Sequence, residues 1–306
     1  MKLEQIKRLY TEFGAEIALS SACASSSKRA APWKHRCVQR YLKEKYSGLL
    51  SRYKQEQATV NGTVSEMPAT IWTLWWQESD DLPEIVRICR TSVNRHRGNH
   101  PFRILTRENY QEYVTLPDYI MDKFRSGEIT ITYLSDIIRF ALLSQYGGLW
   151  VDSAIFVADR IPEEVFTAEY FTVRRPLASK HGNVSQNRWT SFLQAAQKGN
   201  ILCRFVFDFL TEYWRTQKYI VNNFLLDYII ALAYDEIPRC RKLLDAVPVV
   251  DDNVYRLEHM LNAKWDQAVF EEMKAGALFS KLAWRKGGRE KTYFGEETFY
   301  GHLLNL

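Results

Sequence analysis

Apolar side chains follow two different periodicities between residues 133 and 157, and the rest of the chain is organised around this segment. Four apolar residues at helical spacing predict a helix with one buried face: Ile137, Ile138, Ala141 and Leu142. We expect Ser135 to cap this helix and Gly147–Gly148 to end it, because glycine adopts the left-handed conformation after a helix at little cost. The apolar run Leu149–Val151 then predicts a buried strand with Asp152 at its end.

Upstream of this segment, the patterns predict helices first and then strands. Residues 1–20 and Trp33–Gln57 have apolar positions at helical spacing, and a Ser/Ala-rich breaker at Ser20–Pro32 separates them. The β-branched and aromatic residues of Ala69–Trp76 and Phe102–Leu105 predict two strands with a helical segment between them. This order of strand, helix and strand indicates a parallel α/β sheet.

Downstream of residue 157, the pattern becomes mainly helical. Tyr170–Val173 predicts one more strand, and helices are predicted at Thr190–Gln197, Ile201–Gln217 and Asn222–Ala233. The fold class is therefore α/β with a helix-rich C-terminal half. We expect two parts, a basic helical appendage at residues 1–66 and a main α/β domain at residues 67–306.

Composition is that of an ordinary globular protein. The 306 residues are 46% hydrophobic and 25% charged, which is enough for a sizeable core. The sequence has no apolar run of about 18 residues and no signal-peptide core, so we expect a cytoplasmic protein. The five cysteines are scattered without Cys-x-x-Cys spacing, which predicts reduced thiols.

Positive charge is concentrated between residues 34 and 54. In this segment a single acid, Glu44, accompanies seven basic residues: Lys34, Arg36, Arg40, Lys43, Lys45, Arg52 and Lys54. Two interpretations stay open, a solvated helix face or a contact with an anionic membrane that makes the protein peripheral on its inner face. Nucleic-acid binding is disfavoured because the cluster is short and no nucleic-acid-binding module accompanies it.

Three charged residues near the Gly-Gly pair are candidates for chemistry. Asp152 follows a buried strand, and open α/β sheets bind ligands at the carboxyl ends of their strands. Asp152 is therefore a candidate ligand for Mg²⁺ or Mn²⁺. A metal ion held by so few carboxylates completes its coordination shell with water and phosphate oxygens, which predicts a nucleotide diphosphate as the partner. The alternative is an aspartate that only ends a strand. Asp136 and Arg139 have two interpretations. They are either an ordinary i,i+3 ion pair, or a carboxylate that binds sugar hydroxyls beside a guanidinium that binds phosphate.

Aromatic and basic residues elsewhere add further candidates. Strand alternation places Trp72 and Trp76 on one face and Trp75 on the other, and each is either a platform for a base or a core side chain. A cluster near a Gly-Gly hinge is either a phosphate-binding segment or a solvated turn: Lys281, Trp284 and Arg285. The sequence lacks a P-loop and a nucleophile elbow, which disfavours P-loop enzymes and triad hydrolases.

The motifs of this chain resemble those of the capsular polysaccharide synthesis glycosyltransferases, which are related to glycosyltransferase family 32. The most specific match combines Ser135-Asp-Ile-Ile-Arg with Tyr146-Gly-Gly-Leu-Trp-Val-Asp at this spacing. Further matching segments are Ile71-Trp-Thr-Leu-Trp-Trp-Gln, Pro83-Glu-Ile-Val, Leu116-Pro-Asp-Tyr-Ile and Ser280-Lys-Leu-Ala-Trp. The resemblance covers residues 68 to 290.

The resemblance implies a GT-A fold, a Rossmann-like nucleotide-sugar-binding domain, in residues 67–306, with Mn²⁺ or Mg²⁺ and retention at the anomeric carbon. By the same resemblance, Trp75 stacks on the donor base, and Asp136 and Arg139 contact the donor sugar and diphosphate. Asp152 matches the first aspartate of an Asp-x-Asp metal motif, whose second position here is Ala154.

We therefore expect a glycosyltransferase that moves a hexose from a nucleotide-diphosphate sugar, with UDP favoured, to a saccharide acceptor that is lipid-linked. Asp136, Arg139 and Asp152 are the expected catalytic residues, and Lys281 and Trp284 join them in binding the donor. No external base is required, and Asp227 is a remote carboxylate candidate. The rival hypothesis is a noncatalytic GT-A-like protein that binds nucleotide sugar or scaffolds an assembly complex.

Overall fold

A five-stranded mixed sheet forms the centre of the protein. The computed structural model describes residues 2–56, 69–77, 82–177, 183–250 and 253–305. The strands in this part of the chain are β1 (Ile71–Leu74), β2 (Phe102–Leu105), β3 (Gly148–Val151), β4 (Ile155–Val157), β5 (Tyr170–Thr172), β6 (Leu193–Ala196) and β7 (Phe279–Lys281). The main sheet has the order β2-β1-β3-β6-β5, and β4 pairs with β7 in a second, two-stranded sheet.

Strands β2, β1 and β3 are parallel to one another. Strand β6 pairs with β3 in the antiparallel direction, and β5 pairs with β6 in the antiparallel direction. Ile71 at the start of β1 is paired with Phe102 on one side and with Leu149 on the other. The carboxyl ends of β1 and β3 therefore lie side by side. This edge of a parallel sheet is where α/β proteins place their ligands.

Helices surround the sheet and make up most of the rest of the chain. Their bounds are α1 (Leu3–Phe13), α2 (Ala15–Ser26), α3 (Ala31–Lys45), α4 (Ser47–Gln55), α5 (Glu84–His96), α6 (Asp118–Arg125), α7 (Ile131–Gln145), α8 (Glu163–Thr167), α9 (Ile201–Thr216), α10 (Leu225–Glu236), α11 (Pro238–Ala246), α12 (Arg256–Met260), α13 (Gln267–Gly276) and α14 (Phe299–Leu304). The predicted fold class, α/β with a helix-rich C-terminal half, is confirmed.

The Gly-Gly pair after α7 behaves as predicted. Gly147 and Gly148 have φ of 73° and 99°, in the region that favours glycine. A Cβ atom at Gly148 would lie 2.2 Å from the backbone oxygen of Thr70, and the Leu149 amide donates to that same oxygen at 2.9 Å. The absence of a side chain at Gly148 therefore allows β3 to approach the chain that enters β1.

Two helix predictions near the central segment are wrong. Helix α7 begins at Ile131 after Thr130, so Ser135 lies inside the helix instead of capping it. The extra turn buries Leu134 and lengthens the apolar face that Ile137 and Ile138 continue. The predicted helix at Thr190–Gln197 contains strand β6, all four residues of which are buried between β3 and β5. Tertiary pairing overrides the helical propensity of the sequence Leu-Gln-Ala-Ala.

The N-terminal helices pack against α9 and α10. Tyr46 contacts Phe209 with ring centroids 4.6 Å apart, and the buried residues of α3 and α4 belong to the same apolar cluster as those of α9. The predicted breaker at Ser20–Pro32 is too long, because α2 continues to Ser26 and Ser20 is buried. The break between α2 and α3 is confined to Ser27 and a single 3-10 turn at Lys28–Ala30. The boundary at residue 66 stays a prediction, and residues 57–66 lie outside the described residues.

Four of the seven basic residues between 34 and 54 make ion pairs with acids of this chain. Arg40 pairs with Glu16, Arg52 with Asp208, and Lys43 and Lys54 both with Glu236. Much of the predicted basic surface is thus neutralised by neighbouring helices. Within the described ranges, every helix is too short or too polar to cross a membrane.

Candidate active site

A cavity of about 440 Å³ opens at the carboxyl ends of β1 and β3. Its wall contains most of the residues that the sequence singled out, and its described lining includes Trp75, Trp76, Thr132, Ser135, Arg139, Trp150, Asp152, Ser153, Ala154, Lys281, Trp284 and Arg285. These side chains come from segments that are far apart in the sequence. The fold thus brings together an aromatic wall, three cations and a carboxylate.

Asp152 is held by hydrogen bonds on both of its carboxylate oxygens. Oδ1 accepts from Arg139 Nη2 at 3.1 Å and from Trp150 Nε1 at 2.9 Å. Oδ2 accepts from Lys281 Nζ at 3.4 Å. The Asp152 backbone amide continues the sheet by donating to the Phe192 carbonyl at 2.9 Å. Both the backbone and the side chain of Asp152 are therefore fixed before any ligand binds.

Arg139 is a buried cation with four partners. Its Nη1 donates to the carbonyl of Ser191, and its Nη2 lies 3.1 Å from Asp152 and 3.3 Å from Asp136. The guanidinium carbon also lies 4.9 Å from the Trp150 ring centroid, in a cation–π arrangement. Only 4% of Arg139 is exposed. A planar guanidinium with several fixed partners positions neighbouring groups as well as binding anions.

Asp136 lies behind Arg139 and outside the described lining of the cavity. Burial raises the pKa of its carboxyl to about 7, and Arg139 opposes this shift while Asp152 and Asp227 add to it. Its closest charged partner is Arg139, so its placement is that of a residue that supports the guanidinium. The predicted contact with the donor sugar stays a prediction.

Asp227 also lies outside the described cavity wall. Its Oδ1 accepts a hydrogen bond from Trp189 Nε1 at 3.0 Å, and burial raises its pKa. The structure therefore places this carboxylate among buried side chains and not at the cavity surface.

The three tryptophans do not separate as alternation predicts, because β1 ends at Leu74 and both Trp75 and Trp76 line the cavity. Trp72 belongs to the main apolar cluster, and Trp76 packs against that cluster as well as lining the cavity. Trp75 and Trp284 meet edge to face, with ring centroids 5.4 Å apart and an interplanar angle of 89°. The buried Trp75 Nε1 makes no hydrogen bond within the described residues. The two rings form one apolar wall suited to stacking or edge contact with a base.

Lys281 reaches the site because β7 pairs with β4. The register sets Lys281 opposite Ile155, directly after the turn that contains Asp152 and Ala154. Arg285 lies three residues beyond Leu282, with its guanidinium carbon 4.6 Å from the Trp284 ring centroid. This pairing places Lys281 beside the carboxylate of Asp152, and Arg285 lines the same cavity.

Several residues of the wall were missed by the sequence analysis. Thr132 and Ser135 face the cavity with Arg139 at helical spacing, which is a signal that the sequence already contained. Trp150 donates to Asp152, and Ser153 Oγ donates to the Leu74 carbonyl at 2.6 Å. The contact between Trp150 and Asp152 joins residues two apart, which share one face of a strand, so strand periodicity already contained this signal. The contact between Ser153 and Leu74 had no local signal, because it depends on how β3 lies beside β1.

The residues of the cavity do not form the oxygen-rich site that Mg²⁺ or Mn²⁺ prefers. Asp152 is the only carboxylate in the described lining, and both of its oxygens already accept hydrogen bonds from cations. Position 154 is a buried alanine in a separate apolar cluster. No group of three or more histidine, cysteine, aspartate or glutamate side chains suited to a metal occurs among the residues that the structure describes. The predicted metal requirement stays a prediction.

A second cavity of about 500 Å³ lies between β5, α8, α11 and the chain that enters β7. Its described lining is mostly apolar, and its charged members include Arg239 and Glu169, which form an ion pair with each other. None of the predicted site residues lines it. The cavity at the carboxyl ends of β1 and β3 is therefore the candidate active site.

Comparison with known proteins identifies the family. A family model described as "Capsular polysaccharide synthesis protein" matches residues 21–303. Among solved structures, the chain is similar to one described as "PaToxG Glycosyltransferase", with 14% sequence identity, coverage of 70% of this chain and 84% of that chain, and a TM-score of 0.41. A search of curated proteins gave no match. Because the family model matches most of the chain, this protein belongs to the capsular polysaccharide synthesis protein family.

Proposed function

We propose that this protein is a glycosyltransferase that moves a hexose from a nucleotide-diphosphate sugar, with UDP-sugar favoured, to a saccharide acceptor in capsule or cell-surface polysaccharide synthesis. The observation that carries the proposal is the composition of the cavity wall. Trp75 and Trp284 offer an aromatic surface for the base, and Arg139, Lys281 and Arg285 offer cations for the diphosphate. Family membership supports a role in polysaccharide synthesis.

The proposed transfer retains the configuration at the anomeric carbon. The bond from that carbon to the leaving phosphate oxygen breaks, and the acceptor hydroxyl oxygen forms the new bond on the same face. The acceptor proton passes to the leaving phosphate oxygen, so no protein base is required. The cations of the wall stabilise the charge that develops on the diphosphate, which is the main electrostatic demand of the step.

A glycoside hydrolase is less well supported by the same wall. Such enzymes use two carboxylates on either side of the scissile bond. In the described lining of this cavity, Asp152 is the single carboxylate, and it is bound to two cations. One restrained carboxylate fits a transfer in which the substrates themselves exchange the proton.

A noncatalytic nucleotide-sugar-binding protein or scaffold is the second candidate. The observation that favours it is the alanine at position 154, which leaves Asp152 without the second carboxylate of an Asp-x-Asp motif. Turnover distinguishes the two candidates. Purified protein is incubated with a panel of nucleotide sugars, with and without Mn²⁺, and free nucleoside diphosphate is measured over time.

The glycosyltransferase proposal expects release from at least one donor and loss of that release in Arg285→Ala, which removes an exposed cation of the cavity wall. The matched control is Arg125→Ala, an exposed arginine in an i,i+3 ion pair with Asp122. Binding of a donor without any release, in the presence of saccharide acceptors as well as water, would instead identify a noncatalytic binder. Failure of every donor to bind or react would reject both.

The acceptor and the cellular location stay predictions. A lipid-linked acceptor would place the cavity near a membrane, and the N-terminal basic helices are the proposed contact. The four ion pairs to Glu16, Asp208 and Glu236 reduce the charge available for anionic lipid. Sedimentation with anionic liposomes at low and high salt tests the contact, since an electrostatic association weakens as salt screens it. Equal absence from the pellet at both salt concentrations would reject it.

A further inference from the structure

Lys281 is held beside Asp152, the residue that the sequence predicts to be a metal ligand. Its strand, β7, is paired with β4, and the Leu282 amide donates to the Ala154 carbonyl at 2.9 Å. The Nζ atom lies 3.4 Å from Asp152 Oδ2 and 5.6 Å from the Phe192 ring centroid. The ammonium group is thus fixed beside the Asp152–Ala154 turn by backbone pairing and by the carboxylate.

Asp152 has little capacity left for a metal ion. Its Oδ1 receives two donors that are themselves buried, Arg139 and Trp150. Its Oδ2 faces Lys281. A divalent cation on Oδ2 would lie next to this ammonium group and close to the Arg139 guanidinium, and like charges at such distances repel strongly in a partly buried site.

The charge of the wall matches a diphosphate without added metal. In the described lining, three cationic side chains face one carboxylate, which leaves a net charge of plus two: Arg139, Lys281 and Arg285 against Asp152. The diphosphate of a nucleotide sugar carries two negative charges at neutral pH. Arginine and lysine donors neutralise phosphate oxygens directly, with charge-assisted hydrogen bonds.

We propose that this site binds the donor diphosphate without a divalent metal, with Lys281 as the replacing cation and Asp152 as the counter-charge of Lys281 and Arg139. The inference rests on the proposed function, because it concerns the donor of that reaction. It assigns Asp152 a role opposite to that of a metal ligand. The two roles predict changes of opposite sign in the affinity for the nucleotide when the Asp152 charge is removed.

Isothermal titration calorimetry with UDP, in EDTA and in Mn²⁺, measures the difference, and GDP, ADP, CDP and dTDP extend the panel to other bases. We expect dissociation constants within about threefold of each other in the two buffers. Asp152→Asn keeps an oxygen that can accept from Trp150 but removes the charge. It should tighten UDP binding in EDTA, because the described lining then has three cations and no carboxylate facing the diphosphate. A metal ligand would instead lose Mn²⁺-dependent binding by tenfold or more.

Lys281→Met should weaken UDP binding by at least tenfold in EDTA and leave uridine binding unchanged, because uridine lacks the diphosphate. Lys286→Met is the matched control, since Lys286 is an exposed lysine of the same segment outside the described cavity wall. Lys281→Arg should restore most of the affinity. Circular dichroism and thermal melting test whether each variant is folded. If Lys281→Met does not fold, Asp152→Asn still tests the metal-free site independently.

The outcomes separate this inference from the proposed function. Binding of nucleoside diphosphates only in Mn²⁺, or loss of binding in Asp152→Asn, overturns the metal-free site and leaves the glycosyltransferase proposal standing. Failure of all the nucleoside diphosphates to bind in either buffer overturns both. Equal loss of UDP and uridine binding in Lys281→Met also overturns the role given to Lys281.

Discussion

The Arg139 guanidinium and the Asp152 carboxylate, thirteen residues apart in the chain, lie 3.1 Å from each other across the Gly147–Gly148 turn. One is on a helix and the other follows a strand, so the turn between them sets their separation. The same guanidinium contacts Asp136 at 3.3 Å. These contacts make Arg139 the residue on which the geometry of the candidate site depends most.

Arg139→Lys should therefore be strongly destabilising although it conserves charge. Lysine lacks the planar fork that reaches the Ser191 carbonyl, Asp152 and Asp136 together. Breaking a buried ion pair costs about 3 kcal/mol or more, and we expect a loss of about that size in urea denaturation. Arg125→Lys is the control, because its ion pair with Asp122 has the same i,i+3 spacing but is exposed. Equal, small effects of the two substitutions would contradict the central role of Arg139.

Asp136 should make stability depend on pH. Its pKa rises from 3.8 to about 7 on folding. Between pH 3.8 and about pH 7, the Asp136 carboxyl is protonated in the folded protein but ionised in the unfolded chain. The free energy of unfolding therefore falls as pH rises through this range, and the whole loss is reached above about pH 7. Asparagine does not titrate, so the free energy of unfolding of Asp136→Asn, taken relative to wild type, should increase by about 2 to 3 kcal/mol from pH 5 to pH 8.

Urea denaturation of both proteins at the two pH values measures this change. The control is Asp122→Asn, which removes an exposed carboxylate from an ion pair of the same spacing. Its difference from wild type should stay constant over this pH range. A constant difference for Asp136→Asn as well would show that its carboxyl is not perturbed by burial.

Gly148→Ala should prevent the close approach of β3 to β1. The new Cβ would meet the Thr70 backbone oxygen at 2.2 Å and would also require a φ of 99°. We expect a loss of about 2 to 5 kcal/mol from backbone strain and overpacking together. Gly127→Ala separates these causes, because Gly127 has a φ of 80° but no described atom within 4 Å of the added carbon. Similar losses in the two variants would mean that the clash with Thr70 is relieved at little cost.

Trp284→Ala should weaken nucleotide binding without harming the fold. Its side chain is 41% exposed and completes the aromatic wall with Trp75. Stacking of a base on an aromatic ring contributes about 1 to 3 kcal/mol, which corresponds to roughly 5- to 150-fold in affinity. The loss should be the same for UDP and for uridine, in contrast to Lys281→Met. Tyr293→Ala, at a 92% exposed position, is the control, and an unchanged affinity in Trp284→Ala would remove this ring from the base site.

Much of the candidate site could be predicted from a window of some twenty residues. The apolar face of α7, the Gly147–Gly148 stop and the placement of Asp152 after β3 follow from backbone preferences and side-chain periodicity that act locally. The sequence was sufficient for these features because each depends on neighbours within a few residues.

Only the tertiary structure decided how the distant segments meet. Strand β6 has a helical composition and became a strand because β3 and β5 offered backbone partners on both sides. Lys281 reaches Asp152 across 129 residues because β7 pairs with β4, and the same path brings Trp284 to Trp75. Pairing between distant strands leaves no local pattern, since register is set by burial and by the partner strand. The sequence alone therefore determined the helix, turn and strand that carry Arg139 and Asp152, and the fold determined that a lysine lies beside the aspartate.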